Sequence, residues 1–487
     1  MLVVSLNQGN YEYDVHSIVQ AFYAGEQVKV LTPDSKDERR TELEGSIRIE
    51  IELCGEGASV TVEGRRFERT LCREEFKDSF KRFLYETLRE VTGRSLPWGN
   101  LTGIRPTKIA YGMLEQGKSH QEILDYYREK HYVSEEKARL SIDIAERERR
   151  LLSDVHCEEG YSRGCGEAGY SLYVGIPFCP TTCLYCSFTS YPIGGYRNQV
   201  EAYIDCLIRE MEYVAESHRD KILDSVYIGG GTPTTLEPGQ LDRLITALKR
   251  LFDFTTVKEF TVEAGRADSI TEEKLRVLYE HGVTRISVNP QTMKQETLDI
   301  IGRRASVEQV ETAYALARKV GFTNINMDLI LGLPGESEED VQRTVDRVVE
   351  LAPDSLTVHS LAVKRASGLN RWIQENGVSM LRNTDETMRI AAEGAARLGL
   401  EPYYLYRQKN MSGNFENVGY AREGKLGLYN ILIMEEKQTI LALGAGSITK
   451  RVFPDGRIER CDNVKDVALY IEKIDDMIER KRRLFED

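Results

Sequence analysis

The stretch YVGIPFCPTTCLYCSF, from Tyr173 to Phe188, decides how the chain is interpreted. Cys179, Cys183 and Cys186 lie there within eight positions, in the spacing C-x3-C-x2-C. Two cysteines would suffice for a redox pair or half of a zinc site, but zinc requires a fourth ligand and none follows at the usual spacing. Three thiolates on one short loop suit a four-iron cluster that leaves one iron open. The spacing favours such a cluster and leaves zinc or chance as alternatives.

The bulk composition is that of an ordinary globular protein of more than one domain, with 487 residues, of which 41% are hydrophobic and 29% charged. No apolar run approaches the roughly 18 residues that span a bilayer. The N-terminus, MLVVSLNQGNYEYD, has no basic segment and no long apolar segment, so we expect no signal peptide and a cytoplasmic location. Nine cysteines are an odd number, which argues against a disulfide framework. The formal net charge of −13 argues against a nucleic-acid partner.

The first 165 residues are predicted to form an α+β domain of unknown role. Apolar and polar residues alternate over residues 46–53 (SIRIEIEL), which indicates a half-buried strand. Helical periodicity follows over residues 73–91 and again over residues 121–152. The two helical stretches are separated by a turn-rich connection, LPWGNLTGIRPTKI.

Beyond residue 170, short apolar runs alternate with amphipathic helices. The predicted strands are SLYVGI, DSVYIGG, EFTVEA, RISVNPQ, NINMDLILG and SLTVHSLAV. This alternation predicts an α/β fold with a partial (β/α)6 barrel over residues 166–396, followed by a small α/β domain on the substrate side over residues 397–487. In such a barrel, functional groups gather on the loops that follow the carboxyl ends of the strands. The cysteine segment falls at one of these places.

Glycines and single polar residues follow the other predicted strands. The run SVYIGGGTPTT, residues 225–235, ends in glycines that either form a tight turn or let the backbone approach a ligand. Glu263, Gln291 and Asp328 each lie at or just past the carboxyl end of a strand. One such residue is weak evidence of a site. Because consecutive barrel strands face one mouth, the three together predict a functional site there.

The motifs YVGIPFCPTTCLYC, GGGTP and NMDLILGLPG occur in this order. Together they resemble the radical S-adenosylmethionine (SAM) superfamily and, within it, the oxygen-independent coproporphyrinogen III oxidase family, over about residues 170–450. The resemblance implies that Cys179, Cys183 and Cys186 ligate a [4Fe-4S] cluster whose open iron binds SAM. The positions that it implies for SAM binding are Tyr173, Tyr185, Gly230, Gly231, Thr232, Glu263, Gln291, Arg303, Asp328, Ala362 and Ile448.

The family resemblance also implies a reaction, the oxidative decarboxylation of coproporphyrinogen III to protoporphyrinogen IX in haem biosynthesis. A 5′-deoxyadenosyl radical would take a hydrogen atom from a propionate side chain, and loss of carbon dioxide and one electron would leave a vinyl group. The barrel mouth would keep water from the radical. A flavodoxin or ferredoxin would donate the reducing electron. The alternative is a haem-binding chaperone without decarboxylase activity, and the acidic charge weighs against a third possibility, RNA as substrate. No catalytic residue is assigned.

The chain departs from the family pattern in three places. Phe188 stands where the oxidase branch carries a fourth cysteine, which the chaperone branch also lacks. Residues 416–421 (ENVGYA) stand where the chaperone branch carries His-Asn-x-x-Tyr-Trp, so that haem-binding element is not recognisable. The long N-terminal extension is similar to a third branch, the coproporphyrinogen dehydrogenase-like proteins.

Some residues near the C-terminal end of the barrel allow two interpretations. Residues 403–406 (YYLY) fit a half-buried strand as well as the lining of a tetrapyrrole pocket. If they line the mouth, Arg365 and Arg407 would receive propionate groups. His359 follows the start of the last predicted barrel strand, and a lone histidine there is more often structural than a ligand.

Overall fold

The computed structural model of the chain describes residues 1–23, 26–35, 47–103, 105–156, 168–364, 367–377, 380–408 and 415–486. Its buried apolar side chains form two large cores. One core belongs to residues 2–96, and the other extends from Trp98 to Met477 around a long mixed sheet.

The N-terminal core lies under a five-stranded sheet in the order β2-β1-β3-β4-β5. The strands are β1 (Leu2–Leu6), β2 (Val28–Leu31), β3 (Ile47–Cys54), β4 (Gly57–Val62) and β5 (Arg65–Thr70), and the helices are α1 (Glu12–Phe22) and α2 (Phe76–Thr92). Strand β1 runs parallel to β2 and β3, whereas β3, β4 and β5 form antiparallel hairpins. The strand predicted from residues 46–53 is confirmed as β3, because Ile49, Ile51 and Leu53 are buried on one face.

Three helices connect this sheet to the rest of the chain: α3 (Thr107–Glu115), α4 (His120–His131) and α5 (Glu135–Leu152). The single helical stretch predicted over residues 121–152 was wrong. Tyr132 adopts a left-handed backbone conformation with φ of 56°, which ends α4. Ser134 then caps α5 by accepting the backbone N–H of Lys137. The buried faces of these helices belong to the core of the long sheet, not to the N-terminal core.

The long sheet has eleven strands in the order β14-β15-β13-β12-β11-β10-β9-β6-β16-β17-β18, beside a two-stranded pair, β7 and β8. The strands up to β13 are β6 (Gly169–Ile176), β7 (Phe178–Cys179), β8 (Tyr191–Pro192), β9 (Ile222–Gly230), β10 (Glu259–Glu263), β11 (Arg285–Ser287), β12 (Ile325–Leu331) and β13 (Ser355–Ser360). The helices of this part are α6 (Val200–Ser217), α7 (Pro238–Leu251), α8 (Glu272–Glu280), α9 (Gln295–Ile300), α10 (Val307–Val320), α11 (Glu338–Leu351), α12 (Leu369–Asn376) and α13 (Asp385–Arg397).

The six strands predicted for the barrel are β6 and β9 to β13, and they pair in parallel in chain order. This arrangement confirms the α/β fold class. The carboxyl ends of these strands lie at one edge of the sheet, and we call the space that they face the mouth.

Strands from the last part of the chain extend this sheet at both ends. They are β14 (Glu401–Tyr406), β15 (Asn417–Ala421), β16 (Thr439–Leu443), β17 (Ile448–Val452) and β18 (Ile458–Asp462), with helices α14 (Leu428–Glu435), α15 (Val467–Glu472) and α16 (Ile474–Phe485). Strand β15 runs antiparallel to β13, and β16 runs parallel to β6. The sheet therefore continues across residue 396, while the division into three domains stays a prediction. None of the helices in the described ranges is long and apolar enough to cross a membrane.

Candidate functional site

The cysteine loop follows the carboxyl end of β6. Cys179 ends β7, which pairs in parallel with β8 on the far side of the loop. Between them the chain turns, and the backbone N–H of Cys186 donates to the carbonyl of Cys183 at 3.1 Å. All three cysteines are partly buried and form no disulfide. They are therefore available as ligands on one short loop at the mouth.

The cysteine sulfurs lie beside polar groups of the protein. The Sγ of Cys179 lies 3.4 Å from the Oγ1 of Thr232, and Arg266 donates an N–H to the Sγ of Cys183 at 3.4 Å. Burial raises the pKa of the Cys179 thiol to about 11. A thiolate at this position therefore requires a positive centre such as iron next to it.

The donor set fits a cluster better than a single ion. Among the described residues, no three His, Cys, Asp or Glu side chains converge where one metal ion would bind. A four-iron cluster presents a separate iron to each thiolate, so its cysteines stand further apart than the ligands of one ion. The three cysteines of the loop could each ligate a separate iron, with one iron left open.

The backbone of the cysteine loop is fixed to a turn that follows α9. The N–H of Leu184 donates to the carbonyl of Ile301 at 2.9 Å, and the hydroxyl of Thr181 donates to the carbonyl of Gly302 at 2.9 Å. Arg303, which follows, is buried, donates to the carbonyl of Asn289 and interacts with Tyr185 and Cys183. Two residues that the family resemblance implies for SAM, Tyr185 and Arg303, therefore lie together beneath the loop.

The glycine run at the end of β9 packs against the strand that carries the cysteines. Gly230 has a left-handed φ of 107°, which a side chain rarely adopts. A Cβ atom on Gly231 would lie 2.6 Å from the carbonyl oxygen of Phe178. The backbone N–H of Thr232 donates to that same carbonyl at 2.7 Å. Here the glycines permit a close approach of two strands of the protein, which places Thr232 beside Cys179.

Glu263 lies at the carboxyl end of β10 and accepts a hydrogen bond from the hydroxyl of Tyr227. A Cβ atom on Gly229 would lie 3.0 Å from this carboxylate, so glycine leaves the room that it occupies. Burial, and to a smaller extent the neighbouring charge of Asp328, raises the pKa of the Glu263 carboxyl to about 7. Two acidic groups of the predicted set therefore lie close enough to influence each other.

Gln291 follows β11 and has an unusual backbone. Its φ is 67°, and its N–H donates to the carbonyl of Asp328 at 2.9 Å. The side-chain oxygen of Gln291 is buried and has no hydrogen-bond partner in the described part of the chain. The side-chain oxygen of Asn289 and the Nε of Arg303 share that property. Buried polar atoms without partners are costly, and three of them at one edge indicate a place for a polar ligand.

The prediction that Asp328 lies at or just past the end of its strand was wrong, because it is the fourth of the seven residues of β12. Asp328 is part of a chain of polar contacts. It accepts from the amide of Asn326 at 2.7 Å, and its Oδ2 lies 3.9 Å from the Nε2 of His359. The other ring nitrogen of His359 lies 3.4 Å from the hydroxyl of Tyr406. Burial alone would raise the pKa of the Asp328 carboxyl, but the contacts with His359 and Asn326 outweigh it and lower the pKa.

The two remaining predicted positions lie on opposite sides of the mouth. Ala362 follows β13 and is partly buried. Ile448 begins β17 and is 47% exposed. A Cβ atom on Gly446 would lie 2.5 Å from the Oγ1 of Thr189, which places this segment against the end of the cysteine loop. The structure thus brings Cys179, Cys183, Cys186, Tyr173, Tyr185, Gly230, Gly231, Thr232, Glu263, Gln291, Arg303 and Asp328 to the same edge, with Ala362 and Ile448 at its two sides.

Sequence reasoning missed three residues of the site, which are Tyr227, Tyr429 and Arg266. Tyr429, at the start of α14, stacks on Tyr227 with ring centroids 4.4 Å apart, and Tyr173 stacks beside both. Arg266 is buried against the cysteine loop. The charged pair in GRAD, directly after the strand that ends in Glu263, was a signal for Arg266. No local pattern points to Tyr429, which approaches from a distant part of the chain.

Two residues at which the chain departs from the family pattern, Phe188 and Glu416, differ in their burial. Phe188 is 76% exposed beside the cysteine loop. Glu416 is 1% exposed and accepts from the indole of Trp98 at 2.7 Å, while its other oxygen pairs with Lys137 at 2.7 Å. This position therefore fastens the N-terminal helices to the long sheet.

The two arginines suggested for propionate binding have different outcomes. Arg407 is buried, donates to the carbonyl of Leu101 at 2.7 Å and lies over the ring of Trp98. These two contacts are with the connection that precedes α3, and they do not support the propionate hypothesis. Arg365 lies outside the described residues.

Comparisons with known proteins agree with this geometry. The profile of the Radical SAM superfamily matches residues 173–348. The chain is 39% identical over 421 residues to the oxygen-independent coproporphyrinogen-III oxidase-like protein HemZ of Bacillus subtilis, covering 84% of this chain and 82% of that protein. It is 32% identical over 277 residues to the heme chaperone HemW of Lactococcus lactis, covering 57% of this chain and 68% of that protein.

Among solved structures, the fold is similar to that of coproporphyrinogen III oxidase (HemN) from Escherichia coli. The TM-score is 0.52 at 24% sequence identity, with 64% of this chain and 70% of that chain covered. This likeness supports the same barrel architecture.

Proposed function

Because the chain belongs to the radical SAM superfamily, in the family of oxygen-independent coproporphyrinogen III oxidase-like proteins, we propose that it oxidatively decarboxylates coproporphyrinogen III to protoporphyrinogen IX. Its cofactors are a [4Fe-4S] cluster and SAM, as in the superfamily. The observation that carries the proposal is the cysteine loop, which is fixed at the mouth beside Glu263, Gln291 and Asp328.

The bound cofactors supply the one-electron chemistry that removes a hydrogen atom from carbon. We assign Cys179, Cys183 and Cys186 as the iron ligands. We assign the polar contacts with SAM to side chains at the strand ends, where buried atoms lack partners within the described residues. The full set proposed to contact SAM is Tyr173, Tyr185, Gly230, Gly231, Thr232, Glu263, Gln291, Arg303, Asp328, Ala362 and Ile448.

Three stacked tyrosine rings line the mouth. Tyr173, Tyr227 and Tyr429 stack with ring planes within about 20° of each other, at measured angles of 17°, 21° and 22°. Tyr429 is held there because Glu259 accepts the backbone N–H groups of Leu428 and Tyr429, which caps α14. We propose that this stack helps to keep water from the reacting carbon, as radical chemistry requires.

The proposed substrate chemistry balances without a catalytic base. Each propionate side chain loses one hydrogen atom, which ends in 5′-deoxyadenosine, one molecule of carbon dioxide, and one electron, which passes to a separate one-electron acceptor, and a vinyl group remains. We place the tetrapyrrole on the outer side of the mouth, near His359 and Tyr406, which are partly buried there. The reducing electron comes from a donor such as a flavodoxin or a ferredoxin.

The second candidate function is that of a haem-binding chaperone, because a heme chaperone is among the relatives. The position that this branch uses for a histidine is here Glu416, which is buried and holds Trp98 and Lys137. This observation supports the enzyme over the chaperone.

The test is anaerobic turnover of the reconstituted protein with reductant, SAM and coproporphyrinogen III. We expect the tetrapyrrole to lose two carboxyl groups, and 5′-deoxyadenosine to form only when the porphyrinogen is present. Cys183→Ala should abolish both products because it removes an iron ligand. Cys54→Ala, an exposed cysteine far from the loop, is the matched control and should leave both unchanged. If the tetrapyrrole is unaltered and the protein binds haem, the result would favour the chaperone.

A further inference from the structure

Arg266 is not among the positions that the family resemblance implies, yet its side chain contacts the cysteine loop at two residues, Thr181 and Cys183. Its side chain is buried, with 4% exposure. One terminal nitrogen lies 3.4 Å from the Sγ of Cys183, and the other donates to the hydroxyl oxygen of Thr181 at 3.0 Å. Asp268 holds the guanidinium from the opposite side through two hydrogen bonds, at 2.9 and 2.7 Å. The guanidinium is therefore oriented towards one particular sulfur.

The three cysteine sulfurs have different neighbours. Cys179 lies beside the hydroxyl of Thr232, and Cys186 lies 3.7 Å from the hydroxyl of Ser190. Among the described contacts of the three sulfurs, only that of Cys183 accepts from guanidinium groups: Arg266 lies 3.4 Å away, and Arg303 also interacts with it. A full positive charge in a buried place acts on a thiolate much more strongly than a neutral hydroxyl.

We propose that Arg266 is a positioning residue that raises the reduction potential of the bound cluster through its contact with Cys183. The proposal rests on the assignment of Cys183 as an iron ligand. Reduction adds one negative charge to the cluster, and a fixed positive charge next to a ligand sulfur stabilises that state. Hydrogen bonds to cluster sulfurs and local charge are established determinants of such potentials.

Asp268 limits this effect. Its carboxylate offsets part of the guanidinium charge and is 17% exposed, so solvent reaches it. The backbone carbonyl of Arg266 also accepts the hydroxyl of Ser269 at 2.7 Å, which fixes the turn that carries the arginine. These contacts fix the position of the Arg266 guanidinium next to Cys183.

The experiment is a redox titration of the reconstituted protein without SAM or porphyrinogen, with the reduced cluster followed by electron paramagnetic resonance. Arg266→Gln removes the charge and keeps a hydrogen-bonding side chain. We expect the ratio of reduced to oxidised cluster at a fixed solution potential to fall about tenfold, which is about 59 mV for a one-electron couple. Arg266→Lys keeps the charge and should stay close to the unmodified protein.

Arg304→Gln is the matched control, because this neighbouring arginine is exposed to solvent. Its removal should leave the potential unchanged, since solvent screens an exposed charge. The proposal is overturned if Arg266→Gln keeps the original potential, or if Arg266→Lys falls as far as Arg266→Gln. If Arg266→Gln takes up no cluster, a lowered potential in Arg266→Lys still contradicts the proposal. Since no substrate is present, failure here is distinct from failure to decarboxylate coproporphyrinogen III.

Discussion

Two buried polar regions of the molecule differ in how completely their groups are paired. Beneath α16, Glu210 accepts from Lys481 at 2.6 Å and from Asn463 at 2.8 Å on one oxygen. Its other oxygen accepts from Tyr470 at 2.6 Å and from the backbone of Gly444 at 2.8 Å. At the mouth, by contrast, the side-chain oxygens of Gln291 and Asn289 and the Nε of Arg303 have no partners in the described part of the chain.

This difference separates a structural network from a ligand site. The Glu210 cluster ties the C-terminal helix and the tip of β16 to α6, and all its charges are satisfied by the protein itself. At the mouth, Gln291 and Arg303 are also buried and Asn289 is partly buried, but each has a buried polar atom without a hydrogen-bond partner in the described residues. Polar groups are left in that condition where a ligand completes them. Stability and function should therefore respond in opposite ways to substitutions in the two regions.

The largest expected effect on stability is at the Glu210 network. Lys481→Met leaves the Glu210 carboxylate buried without its counter-charge, which should lower the free energy of unfolding by about 3–5 kcal/mol. Urea denaturation of the cluster-free protein, followed by circular dichroism, measures this loss. Arg482→Met is the control, because that residue is half exposed and its ion pair is worth about 1 kcal/mol or less. Equal midpoints for the two variants would contradict the account.

The pH dependence of stability is expected to be intermediate in size and to come from the mouth. The pKa of the Glu263 carboxyl is raised from 4.5 to about 7, so the folded state favours its protonated form. The contribution is fully present below pH 4.5 and is lost as the pH rises towards 7. In this window the stability of the cluster-free protein relative to Glu263→Gln should fall by about 1 kcal/mol per pH unit.

The measurement is a series of urea denaturations of both proteins between pH 4.5 and 8. Taking the difference between the two proteins cancels the titration of other groups, such as Glu336, whose pKa is also raised. A difference that stays constant across the window would show that the Glu263 carboxyl is not perturbed.

The smallest expected effect on stability is at Gln291. Gln291→Leu removes a buried oxygen that has no partner in the described structure, so the free energy of unfolding should change by about 0.5 kcal/mol or less. SAM affinity, measured by equilibrium dialysis on the cluster-loaded protein, should nevertheless fall about tenfold, the loss of about one hydrogen bond. A strong loss of stability with unchanged SAM affinity would place Gln291 with the structural network.

The chemistry of the mouth could be predicted from sequence to a large extent because it follows strand ends. The cysteine loop follows β6, Glu263 ends β10 and Gln291 follows β11, and parallel strands bring their carboxyl ends to one edge. Asp328 lies within β12 and could not be placed from this rule. The six parallel strands could be recognised because burial on both faces makes such strands continuous apolar runs.

Other parts depend on contacts between distant segments and had no local signal. Tyr429 reaches the stack because Glu259 caps its helix from another part of the chain. The role of Glu416 depends on Trp98, in the connection before α3, and on Lys137 in α5. The break at Tyr132 arises from a left-handed backbone conformation that tyrosine does not favour, so periodicity alone predicted one continuous helix.

The most direct test of the account is the stoichiometry of turnover with coproporphyrinogen III under anaerobic conditions. Carbon dioxide released from carboxyl-labelled substrate and 5′-deoxyadenosine are measured in the same reaction. The account predicts one 5′-deoxyadenosine for each carbon dioxide, and a final tetrapyrrole that has lost two carboxyl groups. Formation of 5′-deoxyadenosine without carbon dioxide, at a rate that the porphyrinogen does not change, would contradict it.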